Sequence, residues 1–467
     1  MPKQIRVNAF VLQSPVHQTP GLWRHPEDRS VEYNQLEFWT NLARILERGL
    51  FDGVFIADSL GTNDVYGGSI EAALRRGIHV PKNDPLLSIS AMAAVTKHLG
   101  FGITSNAIHE PPYAFARRMT TLDHLTQGRI GWNIVTGHSE SGARATGAGL
   151  IPHDERYDIA DEYLDLVYAL WEGSWEDDAV LRDKARGIFV DPAKVHRVQR
   201  RGNRFVTDAV HLAEPSPQRT PVLYQAGASS RGRAFAARHA ECIFVSGPTA
   251  QALAPLVADT RRRAAANGRD PAELLFFSMA TTIVGRTEEE AQAKLTDYRR
   301  YIDIEGALVL FSGWTGIDFS RVALDEPVRH QPQSAGIHSA LDVFTRTDPD
   351  RVWTLRQIAE HVAIGGRGPV FVGSPGQVAD AIERWVEESG VDGLNLSYAL
   401  LPGDYEDFGT LVVPELQRRG CFKPGYAPGT LREKLYGSGR ARLPRTHPAA
   451  EVRRLLMPGL RELQPAP

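Results

Sequence analysis

The sequence predicts an α/β chain folded as a (β/α)8 TIM barrel with insertions, and three observations predict it. Eight short β-branched or aromatic runs alternate with longer amphipathic segments. The first run is not followed by a G-x-G-x-x-G turn, so the usual fingerprint of the rival fold, a doubly wound dinucleotide-binding sheet, is missing. Polar residues gather just past the runs, at Asp58, 104–106, 136–139 and 227–230, and a barrel would bring these onto one rim.

In chain order, strands are predicted over 7–11, 53–58, 101–105, 130–135, 221–226, 242–246, 276–284 and 393–398. Helices are predicted over 35–48, 88–98, 113–125, 156–171, 232–239, 250–267, 288–301 and 377–388, each with apolar residues at helical spacing. Within 130–135 the two-residue period of a strand sets Trp132 and Asn133 on opposite faces, Asn133 toward a ligand and Trp132 toward the packing. Two stretches, at about 172–220 and 302–368, exceed ordinary connections and lack clean periodicity, so they read as insertions covering the rim or making subunit contacts. The expected organisation is one barrel domain over 1–425 and an extended, Pro-, Arg- and Gly-rich arm over 426–467.

Composition narrows the functions. The net charge is −3 and basic residues are spread throughout, so no nucleic-acid footprint is expected. The run Arg261-Arg262-Arg263 falls in an alanine-rich helix and reads as a solvated face. Only Cys242 and Cys421 are present, which excludes a disulfide framework or a cysteine-rich metal cluster and suits a cytoplasmic protein. No signal-peptide core opens the sequence, and no apolar run approaches the ~20 residues that span a bilayer, so an unprocessed chain without a membrane partner is expected.

Candidate chemistry begins at 221–232, P-V-L-Y-Q-A-G-A-S-S-R-G. A short strand runs into Gly227, then into Ser229, Ser230 and a helix start, which is how an anion cradle is built. The same construction serves as an ordinary strand, turn and N-cap in any α/β protein. None of the 15 histidines forms an H-x-H or H-E-x-x-H pattern, and no metal site is expected. There is no G-x-S-x-G elbow, and Cys242 opens an apolar strand, where an inert thiol is the ordinary reading. Asp58 stands at a strand's C-terminal end, a position that serves sites more often than scaffolds. His153-Asp154-Glu155-Arg156-Tyr157 is the densest polar cluster, although its two acids also suit the first turn of a helix.

Several runs together resemble the flavin-dependent monooxygenases of the bacterial luciferase-like superfamily, in the branch with nitrilotriacetate, pristinamycin-synthase and dibenzothiophene-sulfone monooxygenases. They include Trp23-Arg24-His25-Pro26, Glu47-Arg48-Gly49, Thr121-Leu122-Asp123, Trp132-Asn133-Ile134-Val135-Thr136, His153-Asp154-Glu155-Arg156-Tyr157 and Gln225-Ala226-Gly227 with Ser229. The similarity continues to Pro414-Glu415-Leu416 and Thr430-Leu431-Arg432, almost the whole chain. The runs Asn83-Asp84-Pro85, Gly313-Trp314-Thr315-Gly316 and Thr446-His447-Pro448 are similar to members of the branch that oxidise dimethyl sulfide.

The resemblance implies a luciferase-like barrel with FMN as cofactor. Ser229 and Ser230 would hold the FMN phosphate, helped by His153 and Tyr157, while Asp58, Thr104 and Asn133 would surround the isoalloxazine and Phe10 would line the apolar substrate side. Ser230 departs from relatives that carry proline there, so Ser229 is the firmer of the pair. No residue is singled out as catalytic, because the cofactor carries the hard step. With no module for NAD(P)H in view, the resemblance implies the oxygenase half of a two-component system. It would be fed FMNH2 by a separate NAD(P)H:flavin reductase, use O2 as co-substrate, and be assembled as a homodimer or homotetramer. The expected reaction is oxidative carbon–sulfur cleavage of a small organic substrate such as dimethyl sulfide, with dehalogenation or carbon–nitrogen cleavage by the same flavin chemistry as the alternative. From other classes come a barrel hydrolase or lyase using Asp58 and His153 as acid and base, and a non-catalytic flavin-binding protein.

Overall fold

The computed structural model describes residues 3–456 except 138, 148, 150, 329–340, 342–343 and 345–351. One residue of the rim stretch 136–139, parts of the 302–368 stretch and the end of the arm therefore lie outside the described residues. Eight parallel strands form the barrel: β1 (Arg6–Leu12), β2 (Gly53–Ala57), β3 (Gly100–Asn106), β4 (Ile130–Val135), β5 (Val222–Gln225), β6 (Cys242–Val245), β7 (Leu275–Val284) and β8 (Gly393–Ser397). Each pairs with its neighbours in sequence, and closure comes from β1 against β8, with Arg6 opposite Gly393. The remaining seams, β6 on β7 and β7 on β8, are parallel too. The last four residues of β7 also pair with a short strand, Val370–Gly373.

Strand alternation decides what faces inward. In β1, Val7, Ala9 and Val11 pack outward into the main core, whereas Phe10 joins a separate cluster in the lumen with Phe55, Tyr224, Phe244 and Phe277. Phe10 lies 5.0 Å from Phe244 and 5.7 Å from Phe55, ring centre to ring centre, so the lumen is packed rather than open. Gly131 makes room for this: a Cβ there would come within 2.6 Å of the Tyr224 ring. In β4, Trp132 turns outward against Phe115, Tyr163 and Trp171, and Asn133 turns inward.

Past residue 425 the chain runs under the N-terminal end of the barrel. The helix Leu431–Tyr436, closed at its start by a Thr430–Glu433 capping box, sends Leu431 and Leu435 into the lumen cluster. Arg432, on the same turn, is buried and paired with Glu241 at the start of β6. A further helix, Pro448–Leu456, lies along the helix His153–Gly173.

Several elements depart from the sequence-based expectation for physical reasons. The helix expected over 88–98 ends at Ala94, because the Glu47 carboxylate accepts the backbone N–H groups of Lys97, His98 and Leu99. The 172–220 stretch contains two antiparallel hairpins, Val180–Asp183 with Ile188–Val190 and Val198–Arg201 with Val206–Ala209. Their three- and four-residue strands are too short and too exposed to show a period. The helix Ile304–Thr315 is buried almost all round, so it carries no amphipathic stripe to read. Arg261 is not part of a solvated face: it pairs with Asp392 at 2.9 Å and lies over the Phe276 ring. Among the described residues no helix is long and apolar enough to cross a membrane.

Candidate functional site at the C-terminal rim

The C-terminal ends of β2, β3 and β4 open into a cavity of about 460 Å3, with Asp58, Thr104, Asn106, Thr136 and Arg156 on its walls. That volume suits a small ligand or cofactor. A second cavity, of about 340 Å3, lies over β1 and is walled by Phe10, His17, His79, Trp314 and Arg367 among others. Asp58, Ser59 and Ser139 line both, so the two chambers meet at the end of β2.

The residues at this junction are held by one another. Thr104 Oγ1 donates to the Ile56 carbonyl at 2.8 Å and accepts from Asn133 Nδ2 at 2.9 Å. Asn133 is thereby fixed with its Oδ1 buried and without a partner among the described residues. Asp58 sits 3.7 Å from Lys82. Burial raises the Asp58 carboxyl and lowers the Lys82 ammonium, while their mutual attraction opposes both shifts. Lys82 is further tied to Ser59, donating to its hydroxyl at 2.9 Å.

Beside the first cavity stands the turn after β5. Ser229 caps the helix Ser230–His239, its Oγ accepting from Gly232 N–H at 3.0 Å. Tyr157 is buried beneath it, interacts with the Ser229 and Gln225 side chains, and carries the Arg231 guanidinium over its ring at 5.5 Å. Gly227 is required by close approach: a Cβ would stand 2.3 Å from Gln225 Nε2, 2.8 Å from the Tyr157 hydroxyl and 2.9 Å from the Gly232 Cα. Gln225 Oε1 and Arg156 Nε are buried with no partner among the described residues.

The structure thus gathers Asp58, Thr104 and Asn133 at the rim, and Tyr157, Ser229 and Ser230 at the turn, with Arg156 joining the two groups through its place on the cavity wall and its bond to the Gly137 carbonyl. His153 lies at the outer edge, half exposed, its ring against Tyr157 and its Nδ1 bonded to Asp154 at 2.6 Å. Ser230 is also exposed and accepts from Arg263 at 3.4 Å. Phe10 is at the floor of the second cavity, with its ring 4.3 Å from that of His17. Asp154 and Glu155 occupy the first turn of the helix His153–Gly173. The Cys242 thiol is buried in the lumen, where desolvation pushes it far up.

Sequence reasoning missed Lys82, His17, His79 and Arg367, which come from irregular segments with no period to point at them. Gln225 did carry a signal: it is the one amide closing the otherwise apolar Val-Leu-Tyr run, on the face opposite Tyr224.

A polar ligand fits this arrangement. Among the described residues the buried amide oxygens of Asn133 and Gln225 lack a donor and Arg156 Nε lacks an acceptor, and a ligand that carries both an anionic group and a ring edge with an N–H donor would answer them beside the close-packed turn at Gly227.

Comparison with known proteins agrees with the geometry. The luciferase-like monooxygenase family model matches residues 18–393. The chain is 48% identical to the dimethyl-sulfide monooxygenase of Hyphomicrobium sulfonivorans, covering 97% of this chain and 94% of that one. It is 46% identical to the long-chain alkane monooxygenase of Geobacillus thermodenitrificans, covering 97% and 99%. The crystal structure of DmoA from Hyphomicrobium sulfonivorans superposes with a TM-score of 0.91 at 46% identity over the full length of both chains. A riboflavin lyase solved with modified FMN and riboflavin gives 0.88 at 38% identity, covering 96% and 99%. The chain belongs to the luciferase-like monooxygenase family.

Proposed function

We propose that this protein is the oxygenase half of a two-component system, using FMNH2 from a separate NAD(P)H:flavin reductase and O2 to oxidise a small organosulfur compound at a carbon–sulfur bond. The observation that carries the cofactor reading is the set of buried polar atoms on Asn133, Gln225 and Arg156 that are unanswered among the described residues, with Arg156 on the wall of the rim cavity. The organosulfur reading is supported by the similarity to a dimethyl-sulfide monooxygenase.

In this reading the turn at Gly227 and the hydroxyls of Ser229, Ser230 and Tyr157 seat the phosphate, with His153 closing the outer side. Asp58, Thr104 and Asn133 hold the ring system at the junction of the two cavities, and Phe10 lines the apolar side where substrate binds. The reduced flavin supplies the electrons and the oxygen chemistry when bound. The protein orients substrate against it and keeps water away, with the packed lumen as a dry floor. Asp58 and Lys82 form the titratable pair nearest the junction and are placed to hold a proton there. The chain is read as one barrel domain over 1–425 with an arm over 426–467. Its 302–368 insertion covers the rim, a role supported by Trp314 and Arg367 in the wall of the second cavity.

The test is turnover. Purified protein is mixed with FMN, NADH and a flavin reductase in air, and dimethyl sulfide and a panel of organosulfur compounds are followed by mass spectrometry. Loss of one compound only when all components are present is the expected result. Consumption without flavin would end the proposal. For the cradle, replacing Ser229 and Ser230 together with glutamate is expected to weaken FMN binding far more than riboflavin binding, and equal losses would count against it.

A further inference from the structure

Among the described residues, one cation of the second cavity is answered by no carboxylate. Arg367 follows the helix Leu355–Gly365 and reaches the cavity wall with its guanidinium 5.3 Å over the Trp314 ring. Its Nε is buried without a hydrogen-bond partner, and no ion pair to Arg367 is made among the described residues. The carboxylates that line the same cavity are engaged elsewhere: Asp58 with Lys82, and Asp64 and Glu140 with Arg144 at 2.6 and 3.8 Å. Two further buried polar atoms are unanswered nearby, His17 Nδ1 and Gln18 Oε1. Gln18 lies against the same turn, since a Cβ on Gly366 would be 2.6 Å from its Oε1. Burial draws Arg367 down to about 10, which leaves it charged at neutral pH.

A desolvated guanidinium without an anion is costly, and a planar fork of N–H donors is the side chain best matched to a carboxylate or sulfonate. Phe10, Leu12, Val65 and Trp314 give the cavity an apolar side suited to a short carbon chain, beside polar walls that include Thr62 and Asn63. We infer that the second cavity is a subsite for an anionic group of the substrate, a carboxylate or sulfonate carried on the sulfur compound and bound by Arg367. This rests on the organosulfur reading above and specifies it. The sulfur would lie toward Phe10 and the junction at Asp58, and the anion toward Arg367, with the His17 and Gln18 side chains within the same wall.

The experiment is calorimetric titration of the full chain in the presence of FMN with three matched probes: 3-(methylthio)propanoate, 3-(methylthio)propane-1-sulfonate and the uncharged 3-(methylthio)propan-1-ol. The two anions are expected to bind at least tenfold more tightly than the alcohol. R367M is expected to erase that margin while leaving the alcohol unchanged, and R367K to keep part of it. The comparison among probes on the unmutated protein stands even if a variant fails to fold. Equal affinities, no binding of either anion, or an equal loss of all three in R367M overturns the inference. So does inorganic sulfate binding as tightly as the organic anions, which would make the site one for a free anion. The reductase-coupled assay keeps the two proposals separate. Turnover of dimethyl sulfide with no preference for anions defeats only the subsite, and a preference for anions with no sulfide consumed defeats only the reaction.

Discussion

Replacing Arg432 with methionine is expected to cost about 4 kcal/mol of stability, close to the upper range for a single substitution. Arg432 and Glu241 have side chains only 1% and 3% exposed, so water cannot take over the role of either partner. Arg432 gives Glu241 two bonds, at 2.7 and 3.0 Å, and also donates to the carbonyls of Thr220, Pro221 and Ala441 at 2.9, 3.0 and 2.8 Å. In R432M the Glu241 carboxylate keeps the Leu223 N–H at 2.9 Å but loses its paired cation, and four carbonyls lose a donor, that of Gln218 at 3.5 Å among them. The uncompensated charge dominates, since breaking a buried pair from one side costs about 3–5 kcal/mol. Removing both charges together is a different perturbation, because well-packed apolar replacements of buried pairs are often close to neutral. The double variant R432M/E241M is therefore expected to be more stable than R432M alone. The assay is equilibrium urea unfolding followed by tryptophan emission, with refolding from urea as the control for reversibility. The pair lies at the end of the barrel away from the rim, so FMN affinity of the folded variants should not change. A loss under about 1 kcal/mol in R432M, or a double variant less stable than the single one, would refute the reasoning.

Gly227→Ala is expected to weaken FMN binding about 10- to 100-fold and riboflavin binding little, since its new Cβ would displace the Tyr157 hydroxyl and Gln225 at the proposed phosphate seat; flavin fluorescence titration measures both. Trp132→Ala should cost about 3–5 kcal/mol, because the ring packs among Phe115, Tyr163 and Trp171. Asn133→Ala, one residue along and facing inward, should lower flavin affinity with a much smaller effect in the same urea assay. Acid should destabilise the fold through His211, which burial holds down to about 4 against an ordinary 6.5. Between those values the unfolded chain binds a proton that the folded one refuses, so stability present above pH 6.5 is lost as pH falls toward 4, by roughly 3 kcal/mol. H211Q should remove that contribution when urea midpoints at pH 7 and 4.5 are compared, leaving the contributions of His17 and His447, which burial also holds well below the ordinary value.

The barrel was legible because its eight strands are apolar runs with turn chemistry at their ends, and the period of two correctly set Trp132 outward and Asn133 inward. The turn proposed as the cradle was legible as local structure for a similar reason: strand, glycine, serine and helix are contiguous, so Gly227, the Ser229 cap and the helix Ser230–His239 announce themselves together. The second cavity was not. His17 and Arg367 are 350 positions apart in segments without regular period, and only the closure of β1 on β8 and β7 brings those segments to one wall. The role of Arg432 was hidden for the same reason, since an arginine in a Pro- and Gly-rich stretch reads as solvated until its partner at Glu241 is known. Local chemistry predicts what contiguous residues do, and burial of a charge is a property of the assembled whole.

The seam between β1 and β8 sets a timetable for the ribosome. Arg6 finds its partner only when Gly393 has been made, and the helix that seals the lumen from below begins later still, at Leu431. At about 5–20 residues per second, β1 waits roughly 20–80 s with one edge unpaired and Phe10 uncovered. During that interval the nascent chain offers an apolar strand edge to any passing partner. Substitutions along β1 or β8 should therefore be felt first as lost yield during expression, before they register as any weakening of the finished enzyme.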